Sequence, residues 1–307
     1  MNAIVTGYGG IAYEVALSLA GRGYDVIIAG RDSAKGEAAA AKLRSAVAAA
    51  PYRKPPLSGS LSRCGSPSAR PSTNIAFEHL DLFEPESIRA FAERAADKHG
   101  HIDIVMCIAG VMMPDELSLS SQGAERQFAV NYLGHFDLVG RLMPLLRNSK
   151  DPRVVTVSSV ANRPFRFDLR DAGAGRGYRA SISYALSKLC CLMYAAELSR
   201  REHWLKSCCV HPGFAGTQLF SRSGHFTMRL LRAIFFVLPF VRQTARAAAA
   251  PAVFAATSEN AKSGAYYGPM FTVMGPPRRA LMPLRAKNAK LREALWELSE
   301  KTTGIRH

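Results

Sequence analysis

Short apolar runs recur along the chain, each followed by a polar or glycine-bearing turn and then a longer stretch with helical spacing. The runs are Ala3-Ile4-Val5, Asp25-Val26-Ile27-Ile28-Ala29, Ile75 to Leu80, Ile102 to Cys107, Arg153 to Val157 and Ser207 to Val210. Bounded by turn residues and rich in Val and Ile, they read as buried strands. Between them the spacing predicts helices from Ile11 to Ala20, from a cap at Asp32 or Ser33 to near Ala50, and from Pro85 to Lys98. Two longer helical stretches follow, from near Gly123 to Leu146 and from Tyr184 through Leu198. Strands alternating with helices predict an α/β fold: one domain over residues 1–307, built on a doubly wound parallel sheet with helices on both faces.

Three stretches break the alternation. Residues 51–73 are rich in Pro, Ser and Arg, lack a hydrophobic period and contain no acid, so they read as a disordered surface insertion. Residues 214–243 contain an apolar run, Ala233 to Val241, that is too short to span a bilayer. Arg229, Arg232 and Arg242 flank or interrupt that segment. It reads equally as a lid over a lipophilic substrate, as an interfacial element touching membrane through 225–242, or as a core helix. The stretch from Arg278 to Lys301 carries a short amphipathic helix around Leu291, Leu295 and Leu298, read as a packing element.

Charge changes the picture only slightly. The net formal charge is +16, yet no zinc-finger spacing, RNA-binding motif or basic-region heptad accompanies it, so no nucleic-acid partner is expected. The excess suits anionic cofactors or anionic lipid as well as a solvated basic surface. The six cysteines, Cys64, Cys107, Cys190, Cys191, Cys208 and Cys209, include no C-x-x-C pair and read as thiols of a reducing compartment. The N-terminus enters a strand at once, so the expected location is cytoplasmic, with peripheral membrane contact left open.

The candidate chemistry sits where strands end. After the first strand comes Thr6-Gly7-Tyr8-Gly9-Gly10-Ile11-Ala12, and Gly7-x-Gly9-x-x-Ala12 fits a dinucleotide fingerprint in its proper strand–turn–helix context. Gly7 would make the turn, Gly9 would let the backbone approach a pyrophosphate, and Ala12 would pack helix on strand. The second strand delivers Arg31, suited to a ribose 2′-phosphate, which favours NADP(H) over NAD(H). The next strands deliver Asp81, then Ala109, then Ser158-Ser159, then Pro212. Tyr184 and Lys188, four apart, share one helix face. A Lys ammonium beside a phenol favours the phenolate and moves an acid–base tyrosine toward working pH.

Together and in order, these motifs resemble the short-chain dehydrogenase/reductase family over roughly Ala3 to Tyr267. The matching pieces are Thr6-Gly7…Ile11, Gly30-Arg31-Asp32, Asp81-Leu82, Ala109-Gly110, Asn131, Ser158-Ser159, Tyr184-x-x-x-Lys188 and His211-Pro212-Gly213…Thr217. Asn-Tyr-Leu-Gly-His-Phe at 131–136 and the Gly30–Ala38 pattern are similar to its retinol-dehydrogenase-like branch. The resemblance implies a Rossmann-type oxidoreductase acting on an alcohol or carbonyl of a small, hydrophobic molecule, with no metal. Tyr184 would be the proton donor or acceptor, and Lys188 would lower its pKa and hold the nicotinamide ribose. Ser159 would bind the substrate oxygen, and Asn131 would anchor a water relay to Lys188. The glycine turn (Gly7, Tyr8, Gly9, Gly10, Ile11), Arg31, Asp81, Leu82, Ala109, Gly110, Pro212, Gly213 and Thr217 would line the cofactor. Helices around Met143 and Tyr194 resemble the family's homodimer faces.

Two departures stand out. The glycine loop is one residue shorter than the family's, and Cys107-Ile108 stand where the family has two asparagines. They motivate the alternative reading, a catalytically weak dinucleotide-binding or scaffold protein on the same fold.

Overall fold

The computed structural model describes residues 1–49, 73–163, 169, 178–213 and 243–307. The insertion at 51–72 and the segment 214–242, with Thr217 and the apolar run 233–241, lie outside them. In chain order the first half comprises β1 (Asn2–Thr6), α1 (Ile11–Ala20), β2 (Asp25–Gly30), α2 (Ser33–Ala49), β3 (Ile75–His79), α3 (Pro85–Lys98) and β4 (Ile104–Cys107). A helical turn, α4 (Arg126–Phe128), runs into a π turn over Ala129–Leu133 and on into α5 (Gly134–Arg147). Then come β5 (Arg153–Val157), α6 (Ala180–Arg201), β6 (Lys206–Val210), α7 (Ala245–Thr257), β7 (Tyr266–Pro269), β8 (Pro277–Arg279), α8 (Leu284–Lys287) and α9 (Ala289–Thr303).

The strands form one sheet in the order β3-β2-β1-β4-β5-β6-β7-β8, parallel through β7 and closed by antiparallel β8. The doubly wound parallel sheet expected from the alternation is therefore present. Strand order reverses between β1 and β4, which opens a crevice beyond their carboxyl ends, the usual ligand position in such sheets. β1, β4 and β5 are buried throughout or nearly so because both of their faces are covered.

The two faces are covered differently. On one, α1, α2 and α7 pack with small residues, Ala12, Ala16 and Ala20 of α1 and Ala248, Ala249 and Ala252 of α7 being buried. On the other, α3, α5, α6 and α9 bury Phe91, Phe136, Tyr194 and Trp296 together with Phe128 and Tyr132. Met143 and Tyr194, offered by the sequence as centres of a dimer face, are buried, and Tyr194 lies 5.8 Å from Trp296 of α9. His307 stacks on Trp296 at 4.8 Å and meets Phe136 edge-on at 4.4 Å, so that face carries the chain's own C-terminal segment. Among the described residues, no helix is long and apolar enough to cross a membrane.

Candidate active site

Two glycines shape the turn after β1. Gly7 (φ 93°) and Gly10 (φ 52°) occupy the left-handed region, which L side chains rarely adopt. Gly7 N–H donates to the Ala29 carbonyl at 2.7 Å, carrying the β1–β2 ladder one residue beyond Thr6 before the chain turns. A Cβ on Gly7 would lie 3.3 Å from Ala12 Cβ and 3.7 Å from Ala109 Cα, so the small residue at position 12 sits where the fingerprint needs close packing. Gly9 faces open space, with nothing within 4 Å of a Cβ built there. Gly10 precedes α1, whose first turn receives no side-chain cap. Ala12 N–H donates back to the Gly9 carbonyl at 3.1 Å, and a helix N-terminus following the carboxyl end of β1 is the setting that suits a phosphate. The short loop is completed by Tyr8, whose ring lies 2.6 Å from where a Gly30 Cβ would be and so abuts the end of β2.

Arg31 follows directly. Its side chain is 66% exposed, and its Nε lies 4.0 Å from Asp81 Oδ2 at the end of β3. Asp81 Oδ1 is held by Phe83 N–H at 3.0 Å. An ion pair that long and that exposed adds little stability. Its consequence is placement: a guanidinium and a carboxylate stand side by side at neighbouring strand ends. Asp32, next in sequence, caps α2 by accepting from Lys35 N–H at 3.0 Å.

On the other side of the crevice, α6 presents Tyr184 and Lys188 one turn apart, both buried. Lys188 Nζ donates to the Val157 carbonyl at 2.9 Å. Gly110 lies directly against this group: a Cβ there would come within 2.8 Å of Asn131 Oδ1 and 3.5 Å of Lys188 Nζ. Asn131 sits inside the π turn, and its side chain is fully engaged. Oδ1 accepts from Val111 N–H at 2.7 Å, while Nδ2 donates to the Val111 carbonyl and to Ser187 Oγ, both at 2.9 Å. Its main-chain carbonyl accepts from His135 Nδ1 at 3.1 Å and Cys191 Sγ at 3.2 Å.

The two serines after β5 divide their work. Ser158 is buried and donates to the Lys188 carbonyl at 2.6 Å, bracing α6. Ser159 is half-buried; its Oγ accepts from Ala161 N–H at 3.1 Å, which fixes the oxygen and leaves its proton free to donate. Beyond β6, Gly213 (φ 72°) turns the chain, and Gln243 Nε2 donates to the Pro212 carbonyl at 3.4 Å. Leu82 meets the start of α5 through its backbone, its carbonyl oxygen lying 2.3 Å from where a Gly134 Cβ would be.

The sequence reading passes over several supporting residues. Gln127, fully buried, accepts from Met113 N–H at 2.7 Å and donates to the Ala180 carbonyl at 2.9 Å, tying the loop after β4 to the start of α6. Met113 is held there at φ 46°, a strained value for a side-chain-bearing residue. Asn162 donates to Ser158 Oγ at 3.2 Å and to Tyr266 Oη at 2.9 Å. The one available signal for Gln127 is its spacing, four residues before Asn131 on the same helical run. Cys107 is a buried thiol whose pKa burial pushes far up, so it serves as an apolar strand end.

A family profile described as short chain dehydrogenase matches residues 61–226. Human retinol dehydrogenase 12 is 32% identical over 308 residues, spanning 99% of this chain and 86% of the relative. Human retinol dehydrogenase 13 is 31% identical over 312 residues, with 98% and 84% covered. Among solved structures, an uncharacterized protein from Mycobacterium paratuberculosis aligns with a TM-score of 0.73 at 29% identity, covering 99% of this chain and 94% of that one. A short chain dehydrogenase from Shigella flexneri complexed with NADP shares the fold at 20% identity, with a TM-score of 0.59 over 87% of this chain and 95% of that one.

Proposed function

The chain belongs to the short-chain dehydrogenase family, and from that premise we propose that it is an NADP(H)-dependent oxidoreductase using Tyr184 as its acid–base group. Its reaction interconverts a carbonyl and an alcohol on a lipophilic small molecule. The observation that carries this reading is the meeting of Gly110, Asn131 and Lys188 one helical turn from Tyr184. The donor set fits a phosphorylated dinucleotide: a left-handed glycine turn ahead of α1, and an exposed Arg31 beside Asp81. Support for a lipophilic substrate comes from the relatives, which are named for retinol, an apolar alcohol.

Each side chain then has a task. The Tyr184 phenol gives its proton to a carbonyl oxygen in reduction and takes one back from the alcohol in oxidation. Lys188, one turn along α6, would hold the nicotinamide ribose. Ser159 donates to the same oxygen as negative charge develops on it. Arg31 would hold the 2′-phosphate by charge-assisted hydrogen bonds, the contact that would favour NADP(H) over NAD(H). The bound nicotinamide supplies or accepts the hydride.

The test is turnover of NADPH with apolar aldehydes and ketones, retinaldehyde among them. Tyr184→Phe is expected to lose about 10²–10⁴-fold in kcat with NADPH binding retained, the scale of an acid–base group. Arg31→Ala is expected to weaken NADPH more than NADH. Unchanged turnover in the first variant, or failure of the native chain to bind either cofactor, overturns the reading.

A further inference from the structure

Between the two halves of this site lies a buried histidine to which nothing above gives a role. His135, on the first turn of α5, is 2% exposed. One ring nitrogen faces the Asn131 carbonyl at 3.1 Å, and the other faces Thr6 Oγ1 at 2.9 Å. We propose that His135 is a positioning residue: its ring locks the strand ends that floor the cofactor crevice to the π turn that presents Asn131 to Lys188. The proposal rests on the dinucleotide reading above and deepens it.

Hydrogen-bond chemistry sets the tautomer. A carbonyl oxygen only accepts, so Nδ1 must carry the proton. Burial, with the Lys188 charge nearby as a smaller cause, lowers the pKa to about 4, and the ring is neutral at physiological pH. Nε2 therefore holds a lone pair and accepts from the Thr6 hydroxyl. That hydroxyl in turn receives Ile108 N–H at 2.9 Å and Ala109 N–H at 3.0 Å. Its single proton faces Nε2 and, at 3.1 Å, the Met106 carbonyl. One hydroxyl and one imidazole thus join the end of β1, the end of β4 and the π turn.

The location gives this link its consequence. Cys107-Ile108 bring no side-chain amide to the end of β4; the Ala109 N–H donates to Thr6, and the Ile108 N–H is shared between Thr6 and the Met106 carbonyl at 3.1 Å. Gly110 follows and touches both Asn131 and Lys188. Freeing the ring from Thr6 leaves the β4 end to the Asn131–Val111 bonds and loosens the spacing between cofactor floor and Lys188. A histidine that merely filled space would affect melting alone.

The experiment uses the full chain with four variants: His135→Leu, His135→Gln, Thr6→Val and the Leu/Val double. Circular dichroism first establishes the temperature range in which each is folded. His135→Leu is expected to weaken NADPH about tenfold and to lower kcat, on the scale of one lost buried hydrogen bond. His135→Gln, whose amide can still reach Thr6, recovers most of the loss. The Leu and Val changes are non-additive because they remove the same link. Amide hydrogen exchange without cofactor tests the same link independently of NADPH. Ile108 and Ala109 are expected to exchange faster in His135→Leu while core β1 amides remain protected. Native exchange at those two amides, or strictly additive effects of the two substitutions, overturns the proposal even where NADPH fails to bind. Faster exchange at Ile108 and Ala109 in His135→Leu, together with no NADPH binding by the unsubstituted chain, overturns only the dinucleotide reading.

Discussion

The two faces of the sheet solve the same covering problem with different materials. The face bearing α1, α2 and α7 is built largely of alanine, valine and short aliphatic chains, and α1 lies close over β1 because Ala12 and Ala16 keep it low. Its contribution to the site is backbone: a glycine turn and the open end of a helix. The face bearing α5, α6 and α9 is thick with aromatic rings, Phe136 alone meeting Tyr132, Tyr194, Trp296 and His307. Buried among them are polar side chains, Asn131, His135, Ser187 and Glu197. Small residues bring a helix end to an anion, whereas side chains that manage protons need bulky cover that keeps water from competing for their hydrogen bonds. The crevice lies where the two methods meet.

Three measurements put that contrast under strain. Phe136→Ala removes the ring shared by most of the aromatic cluster and is expected to cost about 3–5 kcal/mol in urea unfolding; a cost below about 1 kcal/mol would show the rings to be loosely packed. Ala252→Leu, on α7, adds bulk where small residues keep helices close, and about 1–3 kcal/mol of destabilisation is expected from overpacking. Little change there would mean the alanine face has slack. The smallest effect concerns pH. The half-buried His307 packs its ring between Trp296 and Phe136, both ring nitrogens shielded and without a hydrogen-bond partner among the described residues, and desolvation, aided by the Arg201 charge, lowers its pKa to about 3. The unfolded chain takes up a proton near pH ~6.5 that the folded chain refuses, so stability falls as pH drops from about 6.5 toward 3. His307→Phe is expected to remove about one proton from that dependence, read as a shallower slope of urea midpoint against pH; an unchanged slope would place the proton uptake elsewhere.

Much of this arrangement is legible in the chain. Runs such as Ile104–Cys107 announce their strands because an interior parallel strand is apolar on both sides, and the predicted α3 agrees with the observed Pro85–Lys98. The strand ends carrying Gly7, Arg31, Asp81 and Gly110 follow from the same alternation. The β7–β8 hairpin does not, since Gly268 and Pro269 are poor strand residues by composition. Gly268 is there because the His211 ring lies 1.8 Å from where its Cβ would be, a tertiary demand with no local trace. The helix Ala245–Thr257 is similarly muted: alanine on all sides leaves no apolar stripe, and Pro251 interrupts it. Asn131 is visible through its motif, but its π turn is not. His135 and Gln127 show their purpose only when distant partners, Thr6 and Ala180, arrive beside them.

That π turn has a consequence best expressed as phase. Gly134 N–H reaches back five residues to the Ala129 carbonyl, so the run from Arg126 to Arg147 contains one residue more than a continuous α-helix of the same pitch would use. Each residue of an α-helix advances the side chains by about 100° around the axis. An added residue in an unbroken helix would swing everything upstream, Gln127 included, by that angle away from its partners. The π turn absorbs it between Ala129 and Leu133, so the helix on either side keeps its phase. What the extra residue supplies is the widened turn itself, in which Asn131 sits with its carbonyl facing His135 Nδ1 and Cys191 Sγ.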